Sequence, residues 1–178
     1  MKLENVLLTA DKKGQICIKI IDFGCSDYYT SGEQMTNFTG SIFYIAPEVI
    51  WESYTEKCDI WSIGVIAYSL LAGVFPFDDK EDENIAQKIL QTKLKFHKSM
   101  KKVISRKCRK FLKKLLKKNY EHRLTAQQAL NHSWYTQNDN WSKFQANSFT
   151  WSPPHAGKRS CHFVFKEVII FIKCLVYW

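Results

Sequence analysis

The sequence predicts a mainly α-helical lobe that carries a short β-hairpin at its N-terminal edge. Two observations lead to this prediction. Three stretches between residues 58 and 118 have the apolar pattern of helices, whereas apolar residues near the N-terminus alternate with other residues as they do in strands. The chain has 178 residues, 46% of them hydrophobic and 24% charged, so it is long enough to fold around a core of its own.

The hairpin is predicted over residues 5–24, which contain a glycine-bearing turn. Ile16, Ile18 and Ile20 stand at every second position, the period of a half-buried strand. Residues 25–47 have no clear period and are rich in Ser, Thr, Gly and Tyr. They are predicted to form a long loop, and long loops within compact domains usually have a function.

The first two helices differ in how they are expected to pack. Residues 58–73 are apolar nearly all round, which predicts a helix buried in the centre of the lobe, with Gly73 as its C-terminal stop. Residues 82–92 are apolar on one face only, and Asp82 is predicted to be the N-cap of this second helix.

The sharpest amphipathic pattern lies in residues 105–118. Its apolar residues fall at i, i+3, i+4, i+7 and i+8, and they are Cys108, Phe111, Leu112, Leu115 and Leu116. A further helix is predicted after Thr125, because Thr125 and Gln128 match a capping box. From about Asn138 onward the helical pattern fails.

The six cysteines do not suggest a metal site. None of them forms a C-x-x-C pair and no histidine cluster lies beside them, so no zinc site is predicted. The N-terminal residues contain acid and no long apolar run, unlike a cleavable signal peptide. Reduced cysteines in the cytoplasm are therefore expected, with the nucleus as an alternative location.

Several short motifs that are weak singly occur together in one order. They are Lys2 with Asn5, Asp-Phe-Gly at Asp22–Gly24, Ala-Pro-Glu at Ala46–Glu48, Asp-Ile-Trp-Ser-Ile-Gly-Val at Asp59–Val65, and a distant Arg123. Over roughly residues 1–136 this ordered set resembles the C-terminal lobe of a eukaryotic Ser/Thr protein kinase. The segments "YSLLAGVFPF" and "FTGSIFYIAPEV" most resemble the calcium/calmodulin-dependent kinase group and its calcium-dependent relatives.

The resemblance implies roles for the residues of the first two motifs. Asp22 and Asn5 correspond to ligands of Mg²⁺, which prefers oxygen ligands. Lys2 corresponds to the lysine that balances charge on the transferred phosphoryl group, and Gly24 is expected to let the chain turn sharply after Asp22. The implied reaction in the complete parent protein transfers the γ-phosphoryl group of ATP to a protein Ser or Thr, with ATP and Mg²⁺ bound together.

The resemblance also implies supporting residues. Ser41 and Tyr44 lie in the segment that receives the substrate residue in Ser/Thr kinases, and the Ser41 hydroxyl is expected to reach Lys2. Glu48 and Arg123 correspond to a buried ion pair that braces this segment. Asp59 begins the buried helix, where a carboxylate suits the positive N-terminal dipole.

Parts of the kinase pattern are missing from this sequence. The catalytic base would stand five positions before Asn5, and neither a Gly-rich phosphate loop nor the lysine that grips the α and β phosphates is present. The expectation is a kinase domain cut off immediately after its base, with the N-lobe absent and the isolated chain inactive. The predicted division is a partial kinase domain at 1–136, a linker at 137–161 and an apolar tail of unknown role at 162–178.

The basic residues leave an alternative open. The formal net charge is +9, and residues 93–118 contain thirteen Lys and Arg residues but no acid. A non-catalytic binding module could use the basic helix 105–118 and the apolar tail, with calmodulin or acidic lipid as partner. The favoured interpretation is a packed helix with a solvated basic face and no sequence-specific nucleic-acid partner.

Overall fold

A computed structural model of the chain describes residues 1–10, 12, 16–101, 104–136, 148–151 and 161–164. Its helices are α1 (Pro47–Ile50), α2 (Lys57–Ala72), α3 (Asp82–Gln91), α4 (Arg106–Leu115), α5 (Ala126–Leu130) and α6 (Ser133–Thr136). Its strands are β1 (Val6–Ala10), β2 (Ile16–Ile20), β3 (Ser148–Trp151) and β4 (Cys161–Val164). The architecture is mostly helical with a two-stranded antiparallel sheet near the N-terminus, which confirms the predicted fold class.

The N-terminal hairpin pairs β1 with β2 in antiparallel register, with Val6 opposite Ile20. Val6, Ile18 and Ile20 are half-buried and pack against the hydrophobic core, whereas Lys19 is exposed. The alternation in the sequence therefore reflects one face packed inward and one face in water, as in other antiparallel sheets.

Helix α2 is the centre of the lobe, and all thirteen of its residues from Ile60 to Ala72 are buried. Since these residues cover every side of the helix, α2 must be surrounded by other elements, as its apolar sequence predicted. The helix ends at Gly73, which has the left-handed conformation (φ 75°) and donates its N–H to the Ser69 carbonyl at 2.8 Å. The prediction of Gly73 as the stop is confirmed.

Helix α4 crosses α2 at close range, and its apolar residues are buried there. A methyl group at Gly64 would lie 2.9 Å from Leu115 Cβ and 3.0 Å from two atoms of Leu116. The helices can approach this closely because Gly64 has no side chain. At the start of α4, the Ser105 hydroxyl accepts a hydrogen bond from the Cys108 N–H at 3.1 Å, which makes Ser105 the N-cap.

Two further helix starts had been predicted from capping residues. In α5 the capping box is complete: Thr125 Oγ1 accepts from the Gln128 N–H at 3.2 Å, and Gln128 Oε1 accepts from the Thr125 N–H at 3.0 Å. The N-cap predicted for α3 was wrong by one residue. Glu81 occupies the N-cap position without a side-chain hydrogen bond, and Asp82 is the first helical residue. A carboxylate interacts favourably with the helix dipole anywhere in the first turn, whether or not it caps the helix. Composition therefore did not distinguish Glu81 from Asp82 as the N-cap.

The C-terminal hairpin pairs β3 with β4 in antiparallel register, with Ser148 opposite Val164. Strand β3 and the first residue of β4 lie within the segment predicted to be a linker, and the rest of β4 begins the predicted tail. The remainder of that tail, residues 165–178, lies outside the described residues. Within the described part of the chain, no helix has both the length and the apolar character that a membrane span needs.

Candidate active site

The hairpin register places Asn5 beside Asp22. Because Val6 pairs with Ile20, the next residue outward, Asn5, lies opposite Ile21, and the Ile21 N–H donates to the Asn5 carbonyl at 2.8 Å. The Asn5 side chain then donates from Nδ2 to Asp22 Oδ2 at 3.2 Å. Two residues 17 positions apart in sequence are thus brought together by the backbone pairing of one hairpin.

Asp22 has an unusual backbone conformation, with a φ of 65° in the left-handed region. Aspartate tolerates this region better than most residues, but it is still a strained position of the kind found at functional sites. The turn predicted at Gly24 is present, since the Ser26 N–H donates to the Phe23 carbonyl at 3.0 Å, although the φ of Gly24 is not positive. Gly24 also donates its N–H to Asp22 Oδ1 at 3.2 Å, and a Cβ on Gly24 would itself lie 3.2 Å from that oxygen.

The remaining predicted contacts of the site are less complete. Lys2 is half-buried, and its carbonyl accepts from the Asn5 N–H at 3.2 Å, so its backbone is tied to the hairpin. Ser41 is exposed, and its carbonyl accepts from the Tyr44 N–H at 2.9 Å. Among the described residues, the Ser41 hydroxyl and the Lys2 ammonium form no hydrogen bond with each other. The structure therefore does not make the predicted link between these two side chains.

Tyr44 is buried between the hairpin edge and the core. Its ring meets Phe75 edge-on with centroids 5.4 Å apart, and its carbonyl accepts from the Ser62 hydroxyl of α2 at 2.9 Å. Burial raises the pKa of the Tyr44 phenol, and the nearby Glu4 charge adds to that rise. Tyr44 is consequently a neutral anchor that fixes the segment before α1, and Ser62 is an anchoring residue that the sequence analysis missed.

Glu48 and Arg123 form a buried ion pair, each 1% exposed, and we call this pair with its backbone contacts the brace. The guanidinium contacts the carboxylate through both Nη1 and Nη2, the latter at 2.8 Å. Its other donors reach the carbonyls of Lys117 (2.9 Å), Lys57 (2.8 Å) and Lys118 (3.4 Å). All five guanidinium N–H groups therefore have an acceptor, which is what a buried arginine requires.

The brace also contacts the central helix. The guanidinium of Arg123 lies over the Trp61 ring of α2, 5.1 Å from its centroid. Lys57, at the start of α2, donates from Nζ to the carbonyls of Tyr120 at 3.1 Å and Glu121 at 3.3 Å. Lys57 carries no motif signature, so the sequence analysis gave it no role, although it ties the segment around Arg123 to α2.

Asp59 lies in the first turn of α2 with a largely exposed side chain. Its Oδ1 is 3.6 Å from the Met1 backbone nitrogen, directly before Lys2. This contact connects α2 to the chain that leads into the Asn5 turn. Asp59 is thus placed to hold the site rather than to enter it.

The loop between Asp22 and α1 is held to the lobe by contacts that no motif indicated. Met35 pairs with Tyr54 as an isolated β-bridge, and the Tyr54 hydroxyl donates to the Asn37 carbonyl at 2.8 Å. A hydrogen bond with the Glu56 carboxylate raises the pKa of the Tyr29 phenol. These contacts fix the middle of a loop that contains no helix among its described residues.

Other reactive groups in the described part of the chain do not form a competing site. No group of three or more His, Cys, Asp or Glu side chains is placed to hold a metal there. Burial raises the pKa of the Cys58 and Cys108 thiols to about 12, so both are protonated at neutral pH and poor nucleophiles. The Asn5–Asp22 pair is therefore the best candidate for chemistry.

Comparison with known proteins agrees with this geometry. The family model of the protein kinase domain matches residues 1–135 of this chain. The chain belongs to the protein kinase family. It is 41% identical over 134 residues to calcium-dependent protein kinase 4 of Plasmodium falciparum (isolate 3D7), a match that covers 75% of this chain and 25% of that protein.

Plant relatives are equally similar. Identity is 42% over 134 residues to CDPK-related kinase 5 of Arabidopsis thaliana, covering 75% of this chain and 22% of the relative. Identity is 41% over 145 residues to a CDPK-related protein kinase of Daucus carota, a match that covers 81% of this chain and 24% of that protein. The predicted likeness to calcium-dependent kinases is confirmed. The matched region spans about a quarter of the length of these relatives, and the predicted division of this chain at residues 136 and 161 stays a prediction.

Proposed function

We propose that this chain supplies the metal- and substrate-binding half of a Ser/Thr protein kinase, whose complete form transfers the γ-phosphoryl group of ATP to a protein hydroxyl. The observation that carries the proposal is the Asn5 amide lying against the Asp22 carboxylate at the end of the hairpin. Phosphoryl transfer depends on positioning and charge neutralisation, and this pair offers oxygen atoms for a cation at one defined place.

The residues at this place suit Mg²⁺. Asp22 and Asn5 provide a carboxylate and an amide oxygen, and both side chains reach solvent. Mg²⁺ is normally held by one or two carboxylates together with substrate phosphates, so two protein ligands are enough when nucleotide is bound. When bound there, the cation would neutralise developing negative charge on the phosphates. The Gly24 N–H and the Asn5 amide keep the Asp22 carboxylate oriented.

Lys2 and Ser41 are proposed to act on the transferred group and on the incoming substrate. The Lys2 carbonyl accepts a hydrogen bond from the Asn5 N–H, and this backbone link supports a role for the Lys2 ammonium beside the metal pair. Ser41 precedes the anchored Tyr44 and is exposed, so a protein substrate can reach it. The substrate class proposed is a protein segment that presents Ser or Thr.

We further propose that the 178-residue chain alone has no measurable phosphotransferase activity. The two residues that flank Asp22 present apolar side chains to solvent, with Ile21 39% and Phe23 52% exposed. In this proposal an upper lobe and the nucleotide cover that face, and without them the phosphates are not positioned. Positioning accounts for much of the rate of such reactions, of order 10⁵–10⁸ M in effective concentration for well-oriented groups.

The test is a radiolabelled-ATP assay on two proteins with a generic Ser/Thr substrate. One is the 178-residue chain; the other fuses the upper lobe and catalytic base of the Plasmodium falciparum relative ahead of Lys2. We expect activity only in the fusion. Asp22→Asn should lower the fusion's activity by about 10²-fold, because a misplaced reactant can cost that much in rate.

The matched control for that experiment is Asp27→Asn. Asp27 is another exposed aspartate of the same loop, and among the described residues its carboxylate accepts only from the neighbouring Tyr28 N–H at 2.8 Å. It should leave the fusion's activity unchanged. Equal losses in the two variants, or phosphate incorporation by the chain alone, would contradict the proposal.

A further inference from the structure

Helix α4 gathers its basic residues on the side opposite the core. Arg106, Lys107, Lys110, Lys113 and Lys114 are all exposed, and at 100° per residue they span an arc of about 120° on the helix. We call these five residues the basic face. The opposite side of α4 is fully buried, so the two faces have separate roles.

Two lysines of the basic face, Lys110 and Lys114, have no acidic partner among the described residues. The surrounding stretch, residues 93–118, contains no acidic residue. The positive charges of α4 act on a neighbouring side chain, His132. Burial lowers the pKa of His132, and the charges of Lys114 and Lys110 lower it further.

The geometry of α4 limits how a partner can bind. The side chains of Cys108, Phe111, Leu112 and Leu115 are at most 1% exposed, and α4 is held against α2 at the Gly64 crossing. A partner that wraps around an amphipathic helix would have to remove α4 from the core. A broad anionic surface needs only the exposed side, so a docking surface is favoured over a wrapped helix.

The sequence that follows α4 distinguishes a lipid surface from other polyanions. Helix α6 packs on α4 through Trp134, whose ring lies 4.9 Å from that of Phe111, so α6, which ends at Thr136, lies beside α4. The sequence of residues 162–178 then contains mainly Ile, Val, Leu and aromatic residues, and it ends in Tyr-Trp. A basic patch combined with an apolar, aromatic segment is the pair of signals that gives stable membrane attachment, whereas nucleic acid would use only the first.

We propose that the basic face of α4 binds an anionic phospholipid membrane, independently of the kinase chemistry. The test is sedimentation of the full 178-residue chain with vesicles of phosphatidylcholine alone or of phosphatidylcholine and phosphatidylserine at 7:3. Binding should require phosphatidylserine and should weaken as salt is raised. In the triple variant Lys110→Gln, Lys113→Gln, Lys114→Gln, binding to the anionic vesicles should fall at least about tenfold.

A second triple variant controls for net charge. Lys12→Gln, Lys19→Gln and Lys80→Gln replace exposed lysines away from α4 and also lower the formal net charge by three from +9. It should keep at least about half of the parent's binding, because only charges close to the surface contribute fully. Both variants should show the parent's melting transition, since the replaced side chains are exposed.

Three results would overturn the proposal. The first is an equal loss of binding in the two triple variants, which would make net charge the cause. The second is equal binding to vesicles with and without phosphatidylserine. The third is binding that is seen with a 20-base-pair duplex DNA but with neither vesicle preparation, which would make the basic face a nucleic-acid surface instead.

Discussion

The brace and the Asn5–Asp22 pair both join distant segments through a carboxylate, yet they differ in every other respect. In the brace, the Arg123 donors are all used and both side chains are buried. In the Asn5–Asp22 pair, the side chains are accessible, the contact is a single 3.2 Å hydrogen bond, and the Asp22 backbone is left-handed. Polar groups buried inside the protein need partners within it, whereas those left accessible and strained are available to a ligand.

The largest expected effect comes from breaking the brace. Arg123→Met leaves the Glu48 carboxylate buried without a partner, and we expect the free energy of unfolding to fall by about 3–5 kcal/mol. Urea unfolding of the full chain measures the change. The double variant Arg123→Met, Glu48→Leu should recover much of the loss, because an apolar replacement of a buried pair is often tolerated. A double variant as unstable as the single one would show that the backbone contacts of Arg123 carry the stability instead.

Changes at Asp22 should separate strain from function. Asp22→Gly accepts the left-handed conformation freely, so we expect its stability within about 1 kcal/mol of the parent. Asp22→Ala should be less stable than the glycine variant by about 1–2 kcal/mol, the steric penalty of a left-handed Cβ. Both variants should be inactive in the fusion kinase. Equal stability of the glycine and alanine variants, measured by urea unfolding, would mean that the left-handed conformation is not retained.

His132 offers a buried group with like charges for neighbours, in contrast to Arg123. Its pKa is lowered when folded, so its contribution is present above the ordinary histidine pKa and is lost as pH falls through the lower folded value. We therefore expect a drop in melting temperature as the pH falls below about 6.5. In the parent, His132 Nδ1 accepts a hydrogen bond from the Trp134 backbone N–H at 3.2 Å. His132→Asn keeps an acceptor for this N–H and removes the titrating group. The drop should be smaller in this variant; an unchanged drop would assign it to other groups.

The smallest effect is expected at an ion pair on the surface whose two side chains are partly exposed. Asp79 lies 2.7 Å from the Lys88 ammonium, and hydrogen bonding to Lys88 lowers the Asp79 pKa from 3.8 to about 2. The pair's contribution is thus complete above about pH 4 and disappears as the pH falls toward 2. Asp79→Asn should differ slightly from the parent in urea midpoint at pH 5 and less at pH 3. Asp78→Asn, a neighbouring exposed change, should show no such convergence.

The fold was largely readable from the sequence, because local signals and burial agreed. Alternating isoleucines marked the hairpin, the all-round apolar stretch marked α2, and the Thr125–Gln128 box marked α5. These patterns act over a few residues, so one sequence is enough to detect them. The misassigned N-cap at Asp82 shows the limit of such patterns. Glu81 and Asp82 are both acidic, so residue type does not distinguish them, and only their backbone geometry does.

The candidate site was readable only in part. Motif order indicated Asn5 and Asp22, and the strand register explains why they meet. The turn at Gly24 was predicted, but the left-handed backbone at Asp22 was not, because the sequence does not show where the surrounding structure imposes a positive φ on a residue other than glycine. Lys57 and Ser62 bind backbone carbonyls far away in sequence, and such contacts have no local pattern.

The close packing of α4 on α2 at Gly64 positions two separate features, the brace and the basic face. Helix α4 is followed directly by the carbonyls of Lys117 and Lys118 that hold Arg123, and the outer side of the same helix bears the basic face. A methyl group at Gly64 would displace α4 at its closest contact with α2. In a saturation-mutagenesis library, Gly64 should therefore tolerate few replacements although it touches neither site. The absence of a side chain at Gly64 therefore constrains the positions of both the brace and the basic face.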